Sequence, residues 1–257
     1  MRSVCSYTIG IILLAGASLS LPARSAAGEA TVQDPSAAPA SHQTLSPEQR
    51  GDLLMARHQY LAAIDAYRDA SGDPAVIWNK TGIAYHHLFA MDAAKMDYER
   101  ALRLKPNYAE ALNNLGAVFY AEKNYKKAEK LYHRSLKLMP QSATVYNNLG
   151  SAYFAQGKFK RGNAAYRAAF AIDPATFNSD PLQMIPESLS TKERARQNYC
   201  LAKLFAQAGM KDRAIEHLRR ALDEGFSDHK DLMQDGEFAS LRNTAEFAQL
   251  MAEKNVH

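Results

Sequence analysis

The 257-residue sequence has few of the residue groups that support catalysis or covalent cross-linking. It contains two cysteines, and only Cys200 would remain if the N-terminal segment were removed, so an internal disulfide is excluded. There is no glycine-rich phosphate loop and no Gly-x-Ser-x-Gly elbow. No two histidines lie four residues apart with the acidic companions of a metal signature. We therefore predict a protein with no catalytic residues, no cofactor and no metal site.

An excess of charge of one sign is also absent. The sequence has 31 basic and 27 acidic side chains, and residues 1–25 hold two of the basic ones, Arg2 and Arg24. The near balance that remains gives no electrostatic reason to expect a nucleic acid or an anionic membrane surface as partner. Nucleic-acid binding is therefore not predicted.

The first 25 residues have the composition of a secretory signal peptide. Arg2 gives a positive start, residues 7–21 are largely apolar, and Ala23-Arg24-Ser25 resembles a small-x-small cleavage site. The apolar stretch is about 15 residues, shorter than the roughly 20 that span a bilayer. We predict export to a bacterial periplasm or secretion, with no membrane insertion after processing. The alternative is an uncleaved N-terminal anchor.

Residues 26–43 are rich in Ala, Ser and Pro and lack hydrophobic periodicity, which predicts a flexible linker. A helix is expected to begin directly after it. Ser46 and Gln49 have the spacing of a capping box, and Pro47 suits the first helical position.

From residue 78 onward, a pattern of large, small and helix-breaking residues recurs at a spacing of 34 residues. In each copy the apolar residues follow the i, i+3, i+7 spacing of one helix face, and a second helix of the same kind follows. Each copy ends at a proline, and Asn107 after the first of these is a plausible N-cap. One helical pair cannot bury its own apolar faces, so the units must stack into an all-α, right-handed superhelical solenoid. The recurring residues are Trp78, Gly82, Tyr85, Ala94, Tyr98 and Pro106, then Leu112, Gly116, Phe119, Ala128, Tyr132 and Pro140, then Tyr146, Gly150, Tyr153, Gly162, Tyr166 and Pro174.

This pattern resembles the tetratricopeptide repeat (TPR) family. Residues 44–174 are predicted to form four repeats, the first of which has Arg50 where leucine is expected. Residues 191–228 are predicted to form a fifth repeat, with Leu218 in place of the aromatic residue. Two further departures, Thr81 for Leu and Gly162 for Ala, are expected to be absorbed by packing. The resemblance is specific for the fold and says little about the ligand.

Two other segments complete the predicted organisation. Residues 175–190 form an insertion that packs as a local elbow or, alternatively, shapes one wall of the binding surface; Ser190 and Glu193 then form a second capping box. Residues 229–257 contain two short helical patterns separated by Asn243-Thr244. A repeat array needs a terminal element to cover its last apolar face, so we predict C-terminal capping helices.

In the TPR family the first helix of each pair lines the concave surface. A side-chain amide donates and accepts hydrogen bonds, so a row of asparagines could satisfy an extended peptide backbone, and aromatic rings would add apolar contact area. The resemblance implies such contacts for asparagines at these positions. The alternative is that Asn is simply a tolerated polar residue there. The predicted groove residues are Asn79, Asn113 and Asn147 at position 5, Asn114 and Asn148 at position 6, and His86, Tyr120 and Phe154 at position 12.

The predicted function is a non-catalytic scaffold or adaptor that binds an extended peptide or a partner protein in its concave groove. One alternative is a non-catalytic subunit of an envelope secretion, pilus or outer-membrane assembly. Another is a solenoid that binds a small molecule or a glycan through Tyr120, Phe154 and the asparagines. The weakest is a hydrolase centred on Cys200. The sequence predicts no oligomeric state.

Overall fold

A computed structural model describes residues 45–177, 190–226 and 229–254. Over these ranges the chain forms twelve α-helices and two short 3-10 turns and contains no β-strand, which confirms the predicted all-α fold. The predictions for the signal peptide (1–25), the linker (26–43) and most of the insertion (175–190) lie outside the described residues.

The helices follow one another as antiparallel pairs. The first four pairs are α1 (Pro47–Ala56) with α2 (Tyr60–Arg68), α3 (Pro74–His87) with α4 (Met91–Leu104), α5 (Ala109–Ala121) with α6 (Tyr125–Leu138), and α7 (Ala143–Phe154) with α8 (Phe159–Ile172). The remaining elements are a 3-10 turn (Pro174–Phe177), α9 (Thr191–Gln207) paired with α10 (Lys211–Asp223), α11 (His229–Gln234), a second 3-10 turn (Gly236–Phe238) and α12 (Ala245–Glu253).

One contact between a glycine and a tyrosine recurs in each of the first four pairs. A Cβ atom built on Gly116 would lie 2.6 Å from the ring of Tyr132, and one on Gly82 would lie 2.7 Å from the ring of Tyr98. Both tyrosines have no exposed surface. Glycine is therefore required because the ring occupies the space that any larger side chain would take. The other two contacts are Gly51 with Tyr67 and Gly150 with Tyr166.

The predicted helix starts are largely confirmed. Both halves of the capping box are formed at Ser46 before α1 and at Ser190 before α9, and Thr244 caps α12 by accepting a hydrogen bond from the backbone of Phe247. The prediction for Asn107 is wrong, because the N-cap of α5 is Tyr108, whose side chain makes no capping bond. The Tyr108 hydroxyl instead accepts a hydrogen bond from Asn79 of the preceding repeat.

The C-terminal elements attach to the array through an aromatic cluster. Phe177 is fully buried, and its ring centroid lies 5.6 Å from that of Tyr166 in α8 and 6.2 Å from that of Phe205 in α9. Arg213 of α10 donates a hydrogen bond to the Phe177 carbonyl. The short 3-10 turn therefore joins α8, α9 and α10 at one residue.

The end of the chain covers the last helical pair, as a terminal cap requires. Six of its apolar side chains are buried in one cluster with Leu201 and Leu218 of α9 and α10. The repeat array would otherwise expose the apolar side of α9 and α10 to water. The buried cap residues are Leu232, Phe238, Leu241, Phe247, Leu250 and Met251.

Candidate protein-interaction surface

The first helices of successive pairs form the inner side of the array. Helix α3 contacts α5 and α5 contacts α7, whereas no comparable contact joins α4 to α6 or α6 to α8. Elements that touch their own counterparts in the next repeat lie closer to the axis of curvature than elements that do not. The inner surface is therefore built by α3, α5 and α7, and α1 joins α3 through the ion pairs of Lys80 with Glu48 and Asp52.

A chain of side-chain hydrogen bonds runs along this inner surface across three repeats. Asn148 donates to Asn113 Oδ1 at 2.9 Å, and Asn113 donates to Asn114 Oδ1 at 3.2 Å. Asn114 then donates to Asn79 Oδ1 at 3.1 Å, and Asn79 donates to the Tyr108 hydroxyl at 3.4 Å. We call these five residues the asparagine network. It links α7 to α5 and α5 to α3.

The network corrects the predicted placement of four groove residues. All four of its asparagines are buried, and Asn113 and Asn114 have no exposed surface at all. Their amides bond one another instead of facing an open groove, because neighbouring first helices pack closely enough to cover positions 5 and 6. Asn147 differs, since it is only half-buried and its buried Oδ1 has no hydrogen-bond partner among the described residues. No observation tests whether any of these residues binds a partner.

The predicted row of rings at position 12 is also not an open row. Phe154 is fully buried because Gly162 stands where the family has alanine, and the Phe154 ring occupies the space of the missing side chain. His86 is 4% exposed and lies edge-on to Tyr98, with ring centroids 6.5 Å apart. Only Tyr120 keeps part of its surface accessible.

His86 has an unusual environment for a histidine. Its Nδ1 atom is buried and has no hydrogen-bond partner among the described residues. Burial, and secondarily the neighbouring His87, lower the pKa of His86 to about 4. The ring is therefore neutral near pH 7 and acts as part of the packing of α3 against α4.

Two lysines of first helices, one in α3 and one in α9, are neutralised within the chain. Lys80 donates to Glu48 and to Asp52 of α1, at 2.7 Å in each case. Lys203 pairs with Asp235 at 2.7 Å and with Glu237 at 2.5 Å. Neither ammonium group is then available to a carboxylate of a partner without breaking two ion pairs.

An open cavity of about 760 Å³ lies where the α7–α8 turn meets α9, and we call it the basic cavity. Its lining contains four cationic side chains and no carboxylate. Within the described residues, Lys160, Arg161 and Arg196 form no ion pair, whereas Lys158 pairs with Glu129 at 2.7 Å. The arginines lie near ring faces, Arg196 at 5.8 Å from the Phe159 centroid and Arg161 at 5.9 Å from that of Tyr153.

The sequence does not predict this cavity. The run from Lys158 to Arg161 is short, and Arg196 is 35 residues further along the chain. Only the packing of the N-terminal half of α9 beside the α7–α8 turn brings the two segments together. Tyr199 and Phe226 complete the lining as a stacked pair with ring centroids 4.1 Å apart.

The single thiol beside this cavity is a poor nucleophile. Cys200 packs against the C-terminal apolar cluster and forms no disulfide. Burial raises the pKa of the Cys200 thiol to about 11, so the reactive thiolate is scarce at neutral pH. No group of three or more His, Cys, Asp or Glu side chains in the described part of the chain could hold a metal ion.

Comparison with known families identifies the repeats. Residues 75–108 and residues 107–175 each match a family described as tetratricopeptide repeat. These segments coincide with the three regular units that the sequence predicts, so the chain contains tetratricopeptide repeats over this region. The first and fifth units lie outside the matched residues, and their assignment as repeats of this family stays a prediction.

Individual relatives add little to this assignment. Fifty-seven residues, 22% of this chain, are 42% identical to a protein of Pyropia yezoensis named uncharacterized protein ycf37. The matched segment spans 32% of that relative's length. A similar protein of Porphyra purpurea is 40% identical over 57 residues, which is 33% of its length.

Two solved structures are similar to this chain at low sequence identity and with TM-scores below 0.5. MamA from Desulfovibrio magneticus RS-1 is 21% identical, with a TM-score of 0.48, and the match covers 74% of this chain and 96% of that one. YrrB, described as a TPR protein with an unusual peptide-binding site, is 18% identical with a TM-score of 0.46, over 73% of this chain and 89% of its own. Among the residues described for this chain, no helix is long and apolar enough to cross a membrane.

Proposed function

We propose that this chain is a non-catalytic scaffold that binds a partner protein through an extended, acidic segment. The segment would follow the inner surface of α5 and α7, where Tyr120 and Asn147 keep accessible surface, and would end in the basic cavity. Tetratricopeptide repeats over residues 75–175 support the scaffold role, because such arrays present extended surfaces to their partners.

The basic cavity is the observation that carries this proposal. Three cations without described ion-pair partners share one open cavity with the rings of Phe159, Tyr199 and Phe226. Charged groups at such a surface steer and orient a partner of opposite sign, and the rings supply contact area for its side chains. The chemistry therefore fits a peptide in which acidic and aromatic or aliphatic residues alternate.

We further propose, from the sequence alone, that the protein is exported and acts in a bacterial periplasm or outside the cell. The envelope-assembly role is a special case of the same scaffold function. The glycan or small-molecule alternative through Tyr120, Phe154 and the asparagines loses support, because Phe154 and four of the asparagines are buried. N-terminal sequencing of exported material tests the predicted cleavage after Ser25.

A charge-reversal experiment tests the binding site. A fluorescein-labelled peptide of alternating Glu and Tyr is titrated by anisotropy against the parent and against Arg161→Glu/Arg196→Glu, with an alternating Lys and Tyr peptide as probe control. The matched protein control is Lys126→Glu/Lys127→Glu, which makes the same charge change at two exposed positions of α6. We expect the cavity variant to bind at least about 10-fold more weakly and the α6 variant to bind like the parent.

The opposite result would place binding on the outer helices. If the α6 variant loses affinity while the cavity variant does not, the outer face is the interface. Equal affinity of both peptides for the parent would remove the acidic specificity from the proposal. Affinity that falls as salt rises, with a smaller salt dependence in the cavity variant, would support it.

A further inference from the structure

A second cavity, of about 410 Å³, lies between the first two repeats and is bounded by α2, α3 and α4. We call it the inter-repeat cavity. Its walls include Trp78, Tyr85 and Met96, and its polar lining residues include Arg68, Thr81, Asp97 and Arg100. Trp78, which the repeat pattern would place in the core, is only half-buried because one side of its ring faces this space. The cavity shares no lining residue with the basic cavity.

The cavity exists because two polar residues stand where later repeats have apolar ones. Thirty-four residues after Thr81 the chain has Leu115, which is buried, and the same interval after Asp97 leads to Leu131. In the third repeat, Leu115 belongs to the buried apolar cluster of the array and Leu131 packs against it. A shorter threonine and a polar aspartate leave a space empty between the first and second repeats. In the repeat after that, the same positions hold Leu149 and Ala165.

Polar side chains at positions 81 and 97 stabilise the packing of the helices less than leucines would. Asp97 is 2% exposed, and burying a carboxylate costs several kcal/mol unless a partner compensates it. Arg100 supplies that partner, with its guanidinium 3.0 Å from Asp97 Oδ1, and the same guanidinium lies 4.5 Å from the centroid of the Trp78 ring. Thr81 satisfies its own hydroxyl by donating to the Ile77 carbonyl at 2.9 Å. All polar groups are thus held in place around an unfilled, mainly apolar space.

The charge of the walls indicates the sign of a ligand. Two guanidinium groups, from Arg68 and Arg100, face one carboxylate, Asp97. The Arg68 group is paired outside the cavity with Asp65 at 3.2 Å, but both side chains are about 70% exposed, so that pair is weak. The cavity walls therefore carry one positive charge in excess, beside the faces of Trp78 and Tyr85.

We propose that the inter-repeat cavity binds a small amphipathic acid, a molecule with an apolar or aromatic body and a single acidic group. Its volume lies within the range of about 300 to 1,000 Å³ that small-molecule sites occupy, and its composition of apolar walls with a few convergent polar groups is typical of such sites. The apolar body lies against Trp78 and Tyr85. The acidic group pairs with Arg68 or Arg100 at the wall.

The chain carries its own reporter for this site, because Trp78 is the only tryptophan in the sequence. The probe is 1-anilinonaphthalene-8-sulfonate, an aromatic monoanion, titrated against the folded protein while the fluorescence of Trp78 and of the probe is followed. We expect saturable quenching of Trp78 at one probe per chain. The uncharged parent compound, N-phenyl-1-naphthylamine, is expected to bind at least about 5-fold more weakly.

The decisive variant is Thr81→Leu/Asp97→Leu, which fills the cavity with the side chains of the third repeat. We expect it to stay folded, because it restores an arrangement already present in the chain, and to bind the probe at least about 10-fold more weakly. Ala93→Phe, which blocks the cavity from α4, is the second variant if the first does not fold. Arg161→Glu/Arg196→Glu should leave Trp78 quenching unchanged, which separates this site from the proposed partner site.

Some results would overturn the proposal. Undiminished quenching in both filled variants would mean that the probe binds elsewhere. Equal affinity for the charged and uncharged probes, together with no effect of Arg68→Gln/Arg100→Gln, would show that no acid is recognised. Absence of any quenching in the parent would show that the cavity takes no ligand of this class.

Discussion

Within the array, the first helix α5 touches both α3 and α7, the first helices of the neighbouring repeats, whereas α9 contacts α8 but makes no comparable contact with α7. The two regions also differ inside their helical pairs. The first four pairs use a glycine under a tyrosine ring, while the pair of α9 and α10 has Ala202 and Leu218 at the same positions. The array thus repeats one contact, whereas the C-terminal region is built around an apolar cluster that also includes Phe154 and Tyr166 of α7 and α8.

This difference indicates which contacts couple the stability of the repeat array to that of the C-terminal region. Within the array, the asparagine network connects the first helices of the second, third and fourth repeats. Across the boundary α9 contacts α8 instead, and the connection includes the aromatic cluster at Phe177 and the ion pair of Arg167 with Glu237, at 2.8 Å. A nearest-neighbour solenoid interrupted in this way should open first at its weakest interface.

The largest effect is expected for Phe177→Ala. Deleting a fully buried phenylalanine costs about 3 to 5 kcal/mol of unfolding free energy, and here the loss falls on the interface between the two regions. Hydrogen exchange should show lost protection in α9, α10 and α12 while α3 to α6 keep theirs. Phe170→Ala, at a half-buried neighbour 5.9 Å away, is the control and should cost less. Uniform loss of protection would mean that the regions form one cooperative unit.

The second prediction concerns pH and compares two buried histidines. His86 in the array has an unpartnered Nδ1 and a pKa lowered to about 4 by burial and, less, by His87. His217 in the C-terminal region is fully buried but has a hydrogen bond to Asn198 at 2.9 Å. A histidine whose folded-state pKa lies below its unfolded value of 6.5 binds protons more readily when unfolded.

The stabilising contribution of neutral His86 is therefore complete above pH 6.5 and is lost as the pH falls toward 4. The difference of pKa corresponds to about 3 kcal/mol over that window. Asp97 acts with the opposite sign, because burial raises its pKa despite the nearby Arg100. Urea unfolding at pH 7 and pH 4.5 should show a smaller change for His86→Leu than for the parent. An identical change in both would assign acid sensitivity to other groups.

The third prediction tests the glycine contact itself. Gly116→Val forces Tyr132 out of its position, and overpacking of this kind costs about 1 to 3 kcal/mol. The matched change in the C-terminal region is Ala202→Gly, where no tyrosine ring is present and the loss is helix propensity plus one buried methyl group, about 2 kcal/mol together. Denaturant midpoints of the two variants give the comparison. A cost for Gly116→Val below about 1 kcal/mol would show that the ring simply moves aside.

These contacts show which parts of the structure the sequence could reveal. The spacing of glycine, tyrosine and proline predicts the helical pairs because each of those residues is constrained within its own unit. The asparagines were placed on an open face because a helix considered alone points positions 5 and 6 away from its partner. The neighbouring first helix covers that face, and a contact between repeats produces no recognisable pattern in the sequence of either helix. Phe154 is a case that could have been found, since Gly162 nearby already signals a larger ring.

The basic cavity and the inter-repeat cavity are formed by residues that are far apart in the sequence. Arg161 and Arg196 come together only through the displaced position of α9, which follows a segment whose packing the sequence does not fix. The inter-repeat cavity does have a sequence signal, because Thr81 and Asp97 depart from the leucines of the next repeat. We expect packing to absorb one such substitution. Thr81 and Asp97 line the same space, and together they leave it unfilled.

The smallest expected effect on stability comes from a comparison of Asn113 and Asn147, which occupy equivalent positions in adjacent repeats. Asn113 is fully buried and holds two bonds of the asparagine network, so Asn113→Ala leaves Asn148 Nδ2 and Asn114 Oδ1 without that partner. Such a loss costs about 1 to 3 kcal/mol. Asn147 is half-buried, and its Oδ1 already lacks a described partner, so Asn147→Ala should change stability by less than about 0.5 kcal/mol.

The same pair of variants also separates a structural role of these asparagines from a role in binding. If Asn147→Ala weakens the acidic peptide without changing the denaturant midpoint, position 5 contributes to the partner surface only where the array leaves it uncovered. If both variants destabilise equally, the burial difference between the two repeats has no energetic meaning, and the asparagine network does not set the register of the first helices.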